Sequence, residues 1–323
     1  MDMANVGNYV IKRYTADYKD LWDRCVSEAC NTYFLFYRDY MEYHSDRFKD
    51  HSLMIYRDDK LIGVLPASEK ENTITSHGGL TFGGIIHPYK TTAKQIIDSM
   101  HAVVRYYKEA GFQKFIYKPS PWTYHTQPCE ADKYALHLLG ANLAETHLAV
   151  SIDYANPLKF SGGRKNQIQR AKKNGITLCK SEEWETFISL LSSILMERHH
   201  AVPVHTAEEM RLLQSRFPQN IELWLAQHEG KILAGAVLYF TPVAVHTQYL
   251  ASSDEGCHLG ALDLLLSKLI QDYADSKRFL CFGTCTEGDG SVLNEGLLFQ
   301  KESFGGRSVI HEIWEVDLTK DYE

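Results

Sequence analysis

The chain has 323 residues, 44% hydrophobic and 23% charged, a balance that excludes a disordered chain and suits about two domains, each able to bury a core. A formal net charge of −7 and a pI near 6.1 exclude a general nucleic-acid coat protein and leave room only for a local basic groove. No run approaches the roughly 18–20 apolar residues of a membrane span, residues 1–18 show no apolar signal core, and the seven cysteines form no CxxC pair, so a cytoplasmic protein with reduced thiols and no metal is expected.

Residues 52–57 read as a strand, 58–60 as a turn and 61–66 as the returning strand. A helix follows over 92–110, with Ile96, Met100, Val103, Val104 and Tyr107 at helical spacing and Gly111 placed to end it. A short strand at 112–118, a further helix and an alternating strand at 148–154 close the first half. Past a join at 156–163, Ser181 caps a helix over 182–199, and Thr206 with Glu209 forms a capping-box signature for 207–216. Pro203 and Pro218 mark stops. Then come a strand at 221–227, a turn at 228–230 and a return at 231–240. A helix over 258–276 carries the stripe Leu262, Leu265, Leu266, Leu269, Ile270 and Tyr273, and strands at 278–282 and 309–318 follow.

Hairpin, strand, helix, strand, helix, strand therefore occurs twice, and both return strands open with similar text: Lys60-Leu61-Ile62-Gly63-Val64 and Lys231-Ile232-Leu233-Ala234-Gly235. Chance is the competing account, since α/β chains share such orders. The matching lengths favour duplication, with domains at 1–156 and 157–323.

Four stretches carry candidate chemistry. Residues 252–261 join a strand to a helix N-terminus, where unpaired N–H groups suit a phosphate. Ser253, Gly256, His258, Gly260 and Ala261 are the candidate donor contacts there; a plain turn is the competing reading, and Asp254 and Glu255 would repel an anion if they pointed inward. Arg164 and Lys165 open a basic segment, 164–173, suited to a phosphorylated donor or an RNA backbone, or else a solvated helix face. Among His199, His200 and His205 no carboxylate or cysteine stands at ligand spacing, so a general base, His205, is favoured over a metal site. Past a strand end, Lys301 can stabilise charge on a carbonyl oxygen, or cover the core with its stem, and Glu295 is a second candidate base. Cys285 reads as a small buried residue rather than a nucleophile.

Tyr249-Leu250-Ala251-Ser252-Ser253, the helix after it, Phe279-Leu280-Cys281-Phe282-Gly283, and Gly296-Leu297-Leu298-Phe299-Gln300-Lys301-Glu302-Ser303-Phe304-Gly305 resemble the C-terminal pattern of the Fem-type peptidyltransferases and the FemAB-like acetyltransferases of the GNAT superfamily. Residues 164–175 are similar to the basic helix opening that group's second domain, and 77–84 to its glycine-containing strand in the first. The resemblance spans nearly the whole chain and is strongest from about residue 220. It implies an α/β (α+β) fold of two tandem GNAT-like acyl-CoA N-acyltransferase domains, each a mixed, mostly antiparallel sheet flanked by helices. The first would be a degenerate acceptor side and the second the donor side with the chemistry.

The resemblance also implies transfer of an acyl or aminoacyl group to an amine. Fem-type members take aminoacyl-tRNA and extend a cell-wall precursor peptide; others use acyl-CoA, some in polysaccharide pathways. The family's lysine near the C-terminus matches Lys301. Two departures bear on the donor: there is no long charged helical hairpin to serve as a tRNA arm, and Cys257 stands where a coenzyme-A loop has Gln or Arg. Acyl-CoA is the expected donor, with aminoacyl-tRNA as the alternative. The expected acceptor is a small-molecule, glycan or peptide precursor of the cell envelope. A non-catalytic glycan- or RNA-binding module is the reading from another class.

Overall fold

The computed structural model describes residues 8–322, apart from the side chain of residue 199. The first seven residues of the stretch read for a signal, and the His199 side chain of the histidine group, lie outside the described residues. Contacts divide the chain into two compact units: unit 1 holds residues up to 147, 288–291 and those from 310 onward, and unit 2 holds 148–287 and 292–309.

Unit 1 runs through β1 (Tyr9–Arg13), α1 (Lys19–Ser27), α2 (Arg38–Met41), β2 (Lys49–Asp50), β3 (Leu53–Arg57), β4 (Lys60–Leu65), β5 (Ser68–Lys70), β6 (Thr73–Thr75), α3 (Ala93–Glu109), β7 (Lys114–Tyr117), α4 (Ala131–Leu138) and the start of β8 (Asn142–Asp153). The β3–β4 turn is built on Asp58 and Asp59, both left-handed (φ 47° and 62°), the two-residue geometry whose twist matches paired strands. At the third residue of the return, Ile62 is bulged: Tyr56 faces Leu61 and Ile55 faces Gly63. A capping box from Thr92 and Gln95 starts α3. The helix buries all five residues of the predicted stripe, packed with Leu53, Ile55, Phe115 and Tyr117. β6 and β7 run parallel over three pairs, Thr73/Lys114, Ile74/Phe115 and Thr75/Ile116. The C-terminal strand pairs antiparallel with β7, Trp314 facing Tyr117.

Unit 2 takes up the end of β8, then α5 (Gly162–Lys173), β9 (Thr177–Ser181), α6 (Trp184–His199), α7 (Ala207–Arg216), β10 (Ile221–His228), β11 (Lys231–Phe240), β12 (Ala244–Ser252), α8 (Asp254–Leu259), α9 (Ala261–Asp272), β13 (Phe279–Thr284), the short β14 (Thr286–Glu287) and β15 (Val292–Leu293), α10 (Glu295–Glu302) and the start of β16 (Arg307–Asp317). Its strands order as β8-β13-β12-β11-β10-β9, all neighbours antiparallel except β12 and β13. The β10–β11 turn repeats that of unit 1, with Glu229 and Gly230 left-handed (φ 49° and 79°). So does the bulge: Gln227 faces Ile232, Ala226 faces Ala234, and Leu233 is the extra residue. Two hairpins with one turn geometry and one bulge position accord with a duplication.

The expected helix over 258–276 is instead two, α8 beginning at Asp254 and α9 ending at Asp272. The break is Gly260, left-handed at φ 75°, where a Cβ would stand 2.5 Å from the Gln167 carbonyl oxygen. That close approach of α5 sets the kink, and the apolar stripe could not reveal it. α9 buries Leu265, Leu266, Leu269 and Ile270 against Val150, Ala234, Ala236, Leu280 and Phe282.

Candidate active site

β13 is buried along its first four residues, Phe279 to Phe282, and β12 is buried over Ala244 to Thr247. They pair over only three positions, Ala244/Phe279, Val245/Leu280 and His246/Cys281. Beyond His246, β12 follows β11 with a bulge at Gln248, since Leu238 faces Thr247 and Val237 faces Tyr249. β13 meanwhile turns at left-handed Gly283 (φ 72°). The strands separate at their carboxyl ends into a wedge, the part of an α/β sheet where ligands bind, and a bulge beside a site re-aims side chains.

Lys301 sits at the β13 side of this wedge. Asn294 caps α10 by accepting the Leu297 N–H at 2.9 Å, and its own N–H donates to the Cys285 carbonyl at 2.8 Å, tying the helix to the strand end. In the last turn of α10, Lys301 is 6% exposed, and its Nζ donates to the carbonyls of Gly283 (3.1 Å) and Thr284 (2.6 Å). Burial pulls its pKa below the ordinary lysine value, opposed by the neighbouring Cys285 thiol. His246 lies across the opening: a Cβ on Gly283 would be 3.6 Å from its Cε1. Burial, and then the Lys301 charge, push His246 down to about 4, so a neutral imidazole faces a buried ammonium.

The other predicted residues divide. His205 is buried, with Nδ1 2.7 Å from the Tyr249 hydroxyl on β12, and burial raises that hydroxyl to about 12. Glu295 is exposed at the first position of α10, six residues from Lys301, hence about 9 Å along the axis and roughly 120° around it, so the helix does not bring the two together. Cys285 is fully buried.

The turn at 252–261 spends its polar groups on its own structure. Ser253 Oγ donates to Leu233 O (3.1 Å) and accepts the Gly256 N–H (3.0 Å). Gly256 packs so closely that a Cβ would lie 2.4 Å from Leu233 O. Ala261 is buried, while His258 is exposed and its carbonyl accepts from Arg170 (3.0 Å). Asp254 and Glu255 are exposed and paired with Arg198 and Lys231. Arg164 is a fastener: Nε donates to Ser303 Oγ (2.7 Å), Nη1 to Asp263 (2.6 Å), and the guanidinium lies 5.1 Å from the Phe304 ring centre. Lys165 is exposed on the rim of an apolar cleft of about 320 Å³ lined by Tyr154, Leu158, Phe160, Ile270 and Phe304. Sequence reasoning quoted Gly283 within a motif but missed His246, because a histidine within a strand shows no pairing until the strands are laid side by side.

Residues 162–288 match the family of acetyltransferase (GNAT) domains, a span that contains the splayed strands. The chain has a tandem GNAT fold. Across 95% of this chain and 97% of the other, that fold is similar to the crystal structure of FemX, with TM-score 0.67 at 14% identity. A C-terminal domain of a putative lysylphosphatidylglycerol synthetase from Agrobacterium fabrum shares it at TM-score 0.58 and 13% identity, over 92% of this chain and 91% of that one. A tandem GNAT protein from the clavulanic acid biosynthesis pathway does so at 0.55 and 9%, over 98% and 100%. No curated protein matches the sequence. Among the described residues, no helix of this tandem GNAT chain is long and apolar enough to cross a membrane.

Proposed function

We propose that this chain is an N-acyltransferase that moves an acyl group from acyl-CoA to an amine of a cell-envelope or polysaccharide precursor, working in the cytoplasm. The GNAT fold supports transferase activity. The observation that carries the reading is the buried Lys301 ammonium at the mouth of the β12/β13 wedge. On this reading residues 157–323 take the donor and residues 1–156 serve the acceptor.

The acceptor amine attacks the thioester carbonyl held in the wedge; the C–N bond forms, the oxygen takes up negative charge, and collapse expels the coenzyme-A thiolate. Holding both reactants together supplies much of the rate. Lys301 stabilises the oxyanion. Two of its three N–H groups serve backbone carbonyls, which leaves the third for the oxyanion. His205, relayed through Tyr249, or Glu295 through water, takes the amine proton. Lys165 serves the donor phosphates, while Gly260 and Ala261, packed against α5, join Ser253, Gly256 and Arg164 in shaping the seat, with His258 at its edge.

Aminoacyl-tRNA is the alternative donor, favoured by the similarity to FemX and by the exposed Lys165, Lys172 and Lys173 on α5. Turnover of a panel of acyl-CoAs and charged tRNAs against amine-bearing glycan and peptide precursors tests the reading. Acyl-CoA turnover that falls in Lys301→Ala supports it. Turnover with charged tRNA alone moves the donor, and binding of a glycan or RNA without turnover of any donor leaves a non-catalytic module.

A further inference from the structure

Unit 1 contains a cluster of sulfur and imidazole groups that acyl transfer does not use. Cys30 follows α1, His87 precedes α3, and Cys129 precedes α4, yet one ligand atom from each lies within 4.8 Å of the others. Two backbone bonds and one side-chain bond tie these segments together. The Cys30 N–H donates to His87 O (3.1 Å), the Thr126 N–H to Cys30 O (2.7 Å), and the Asn31 side-chain amide to Ile85 O (2.9 Å). Cys30 is 3% exposed and His87 5%.

The spacing suits a tetrahedral ion. Zinc–sulfur bonds of about 2.3 Å and zinc–nitrogen bonds of about 2.0–2.1 Å imply an S···N edge of about 3.6 Å. His87 Nδ1 lies 3.2 Å from Pro88 O, so its N–H can donate there and leave Nε2 as the ligand atom; Cys30 Sγ stands 3.6 Å from Nδ1 and 3.7 Å from Nε2, so coordination through Nε2 takes a turn of the ring or the thiol. A metal-bound histidine normally donates its second ring N–H to a carbonyl in this way. A second histidine stands by: His125 Nδ1 is 3.2 Å from Cys129 Sγ, and its Nε2 is buried without a hydrogen-bond partner.

We propose that unit 1 binds one zinc ion through Cys30, His87 and Cys129, with His125 a side-chain rotation from the fourth position. Two thiolates with imidazole favour zinc over magnesium or calcium, which take oxygen ligands. The ion would pin three loop segments of the first unit and leave the wedge of the second untouched, so this proposal stands apart from acyl transfer. It also replaces the expectation of no metal, which rested on close spacing: Cys30 and His87 are 57 residues apart and meet only in the fold.

The test uses the full chain, reduced and stripped with chelator, then titrated with zinc and separately with cobalt(II). The expected results are one zinc per chain by elemental analysis, thiolate-to-cobalt charge-transfer absorption, and a Tm raised by about 5 °C or more at saturating zinc. Cys30→Ser and Cys129→Ser should lose the cobalt band, while the exposed Cys257→Ser keeps it. If the first two fail to fold, the wild-type cobalt spectrum decides. No stoichiometric metal and no charge-transfer band in the reduced wild type, full zinc retention in a folded Cys30→Ser/Cys129→Ser variant, or a Cys30–Cys129 disulfide that reduction does not convert into a zinc-binding form, would each overturn the proposal.

Discussion

The two units begin alike and part at one place. Each has a hairpin with a left-handed two-residue turn and a bulge at the third residue of the return strand. Each has a parallel pair three residues long, β6 with β7 and β12 with β13. Beyond that pair, unit 1 closes the gap with its own chain. The Ser76 N–H donates to Ile116 O (2.8 Å), the Lys118 N–H to Ser76 Oγ (2.7 Å), and the Gly83 N–H to Lys118 O (2.8 Å). A Cβ on Gly83 would stand 2.0 Å from Ser76 O. In unit 2, β12 instead continues to Ser252 against β11, away from β13. Both places keep a lysine: Lys118 Nζ donates to Leu80 O (2.6 Å), and burial lowers its pKa to about 8. The difference teaches that a shared strand framework does not make a site; the segment leaving the parallel pair decides whether the wedge holds chain or substrate.

The sharpest way to break this comparison is to remove each lysine in turn. Lys301→Ala should lower turnover at least tenfold, toward the roughly 10²–10³ of a lost oxyanion donor, while Lys118→Met stays within about twofold; equal losses in the two variants would erase the distinction. Next is the pH dependence of unfolding. His246 titrates near 4 in the folded chain against about 6.5 unfolded, so the unfolded state binds the proton first as pH falls. The His246 contribution to stability should fall by about 3 kcal/mol between pH 6.5 and 4, so denaturant titrations of His246→Gln should show a flatter profile over that window than the wild type.

Backbone changes sharpen the comparison at smaller scale. Gly260→Ala combines a left-handed φ with a clash on Gln167 and should cost about 3 kcal/mol by thermal or chemical unfolding. Gly230→Ala, left-handed but in open space, should cost about 1 kcal/mol. The smallest effect belongs to the hairpin turns. Glu229→Asn should stabilise by about 0.5 kcal/mol and Asp58→Asn by less, because Asp already tolerates this conformation.

The α3 stripe, the two hairpins and the Thr206–Glu209 capping box were legible in the residues, because each depends on neighbours within one turn or one strand pair, while the Thr92–Gln95 box was not read. Lys301 was singled out by its apolar surroundings and by resemblance, and it is buried. The predicted helix over 258–276 missed a break imposed by α5, and Arg164 looked free to bind a ligand because its partners, Asp263 and Ser303, are distant in the chain.

The order of local elements, their periodicity and their turn chemistry come from the amino acids read in line, since short-range sterics and burial act over a few residues. The splay of β12 from β13, the neutral His246 opposite a desolvated Lys301, and the meeting of Cys30, His87 and Cys129 depend on long-range packing. Desolvation and ligand geometry come into being only when distant segments exclude water together.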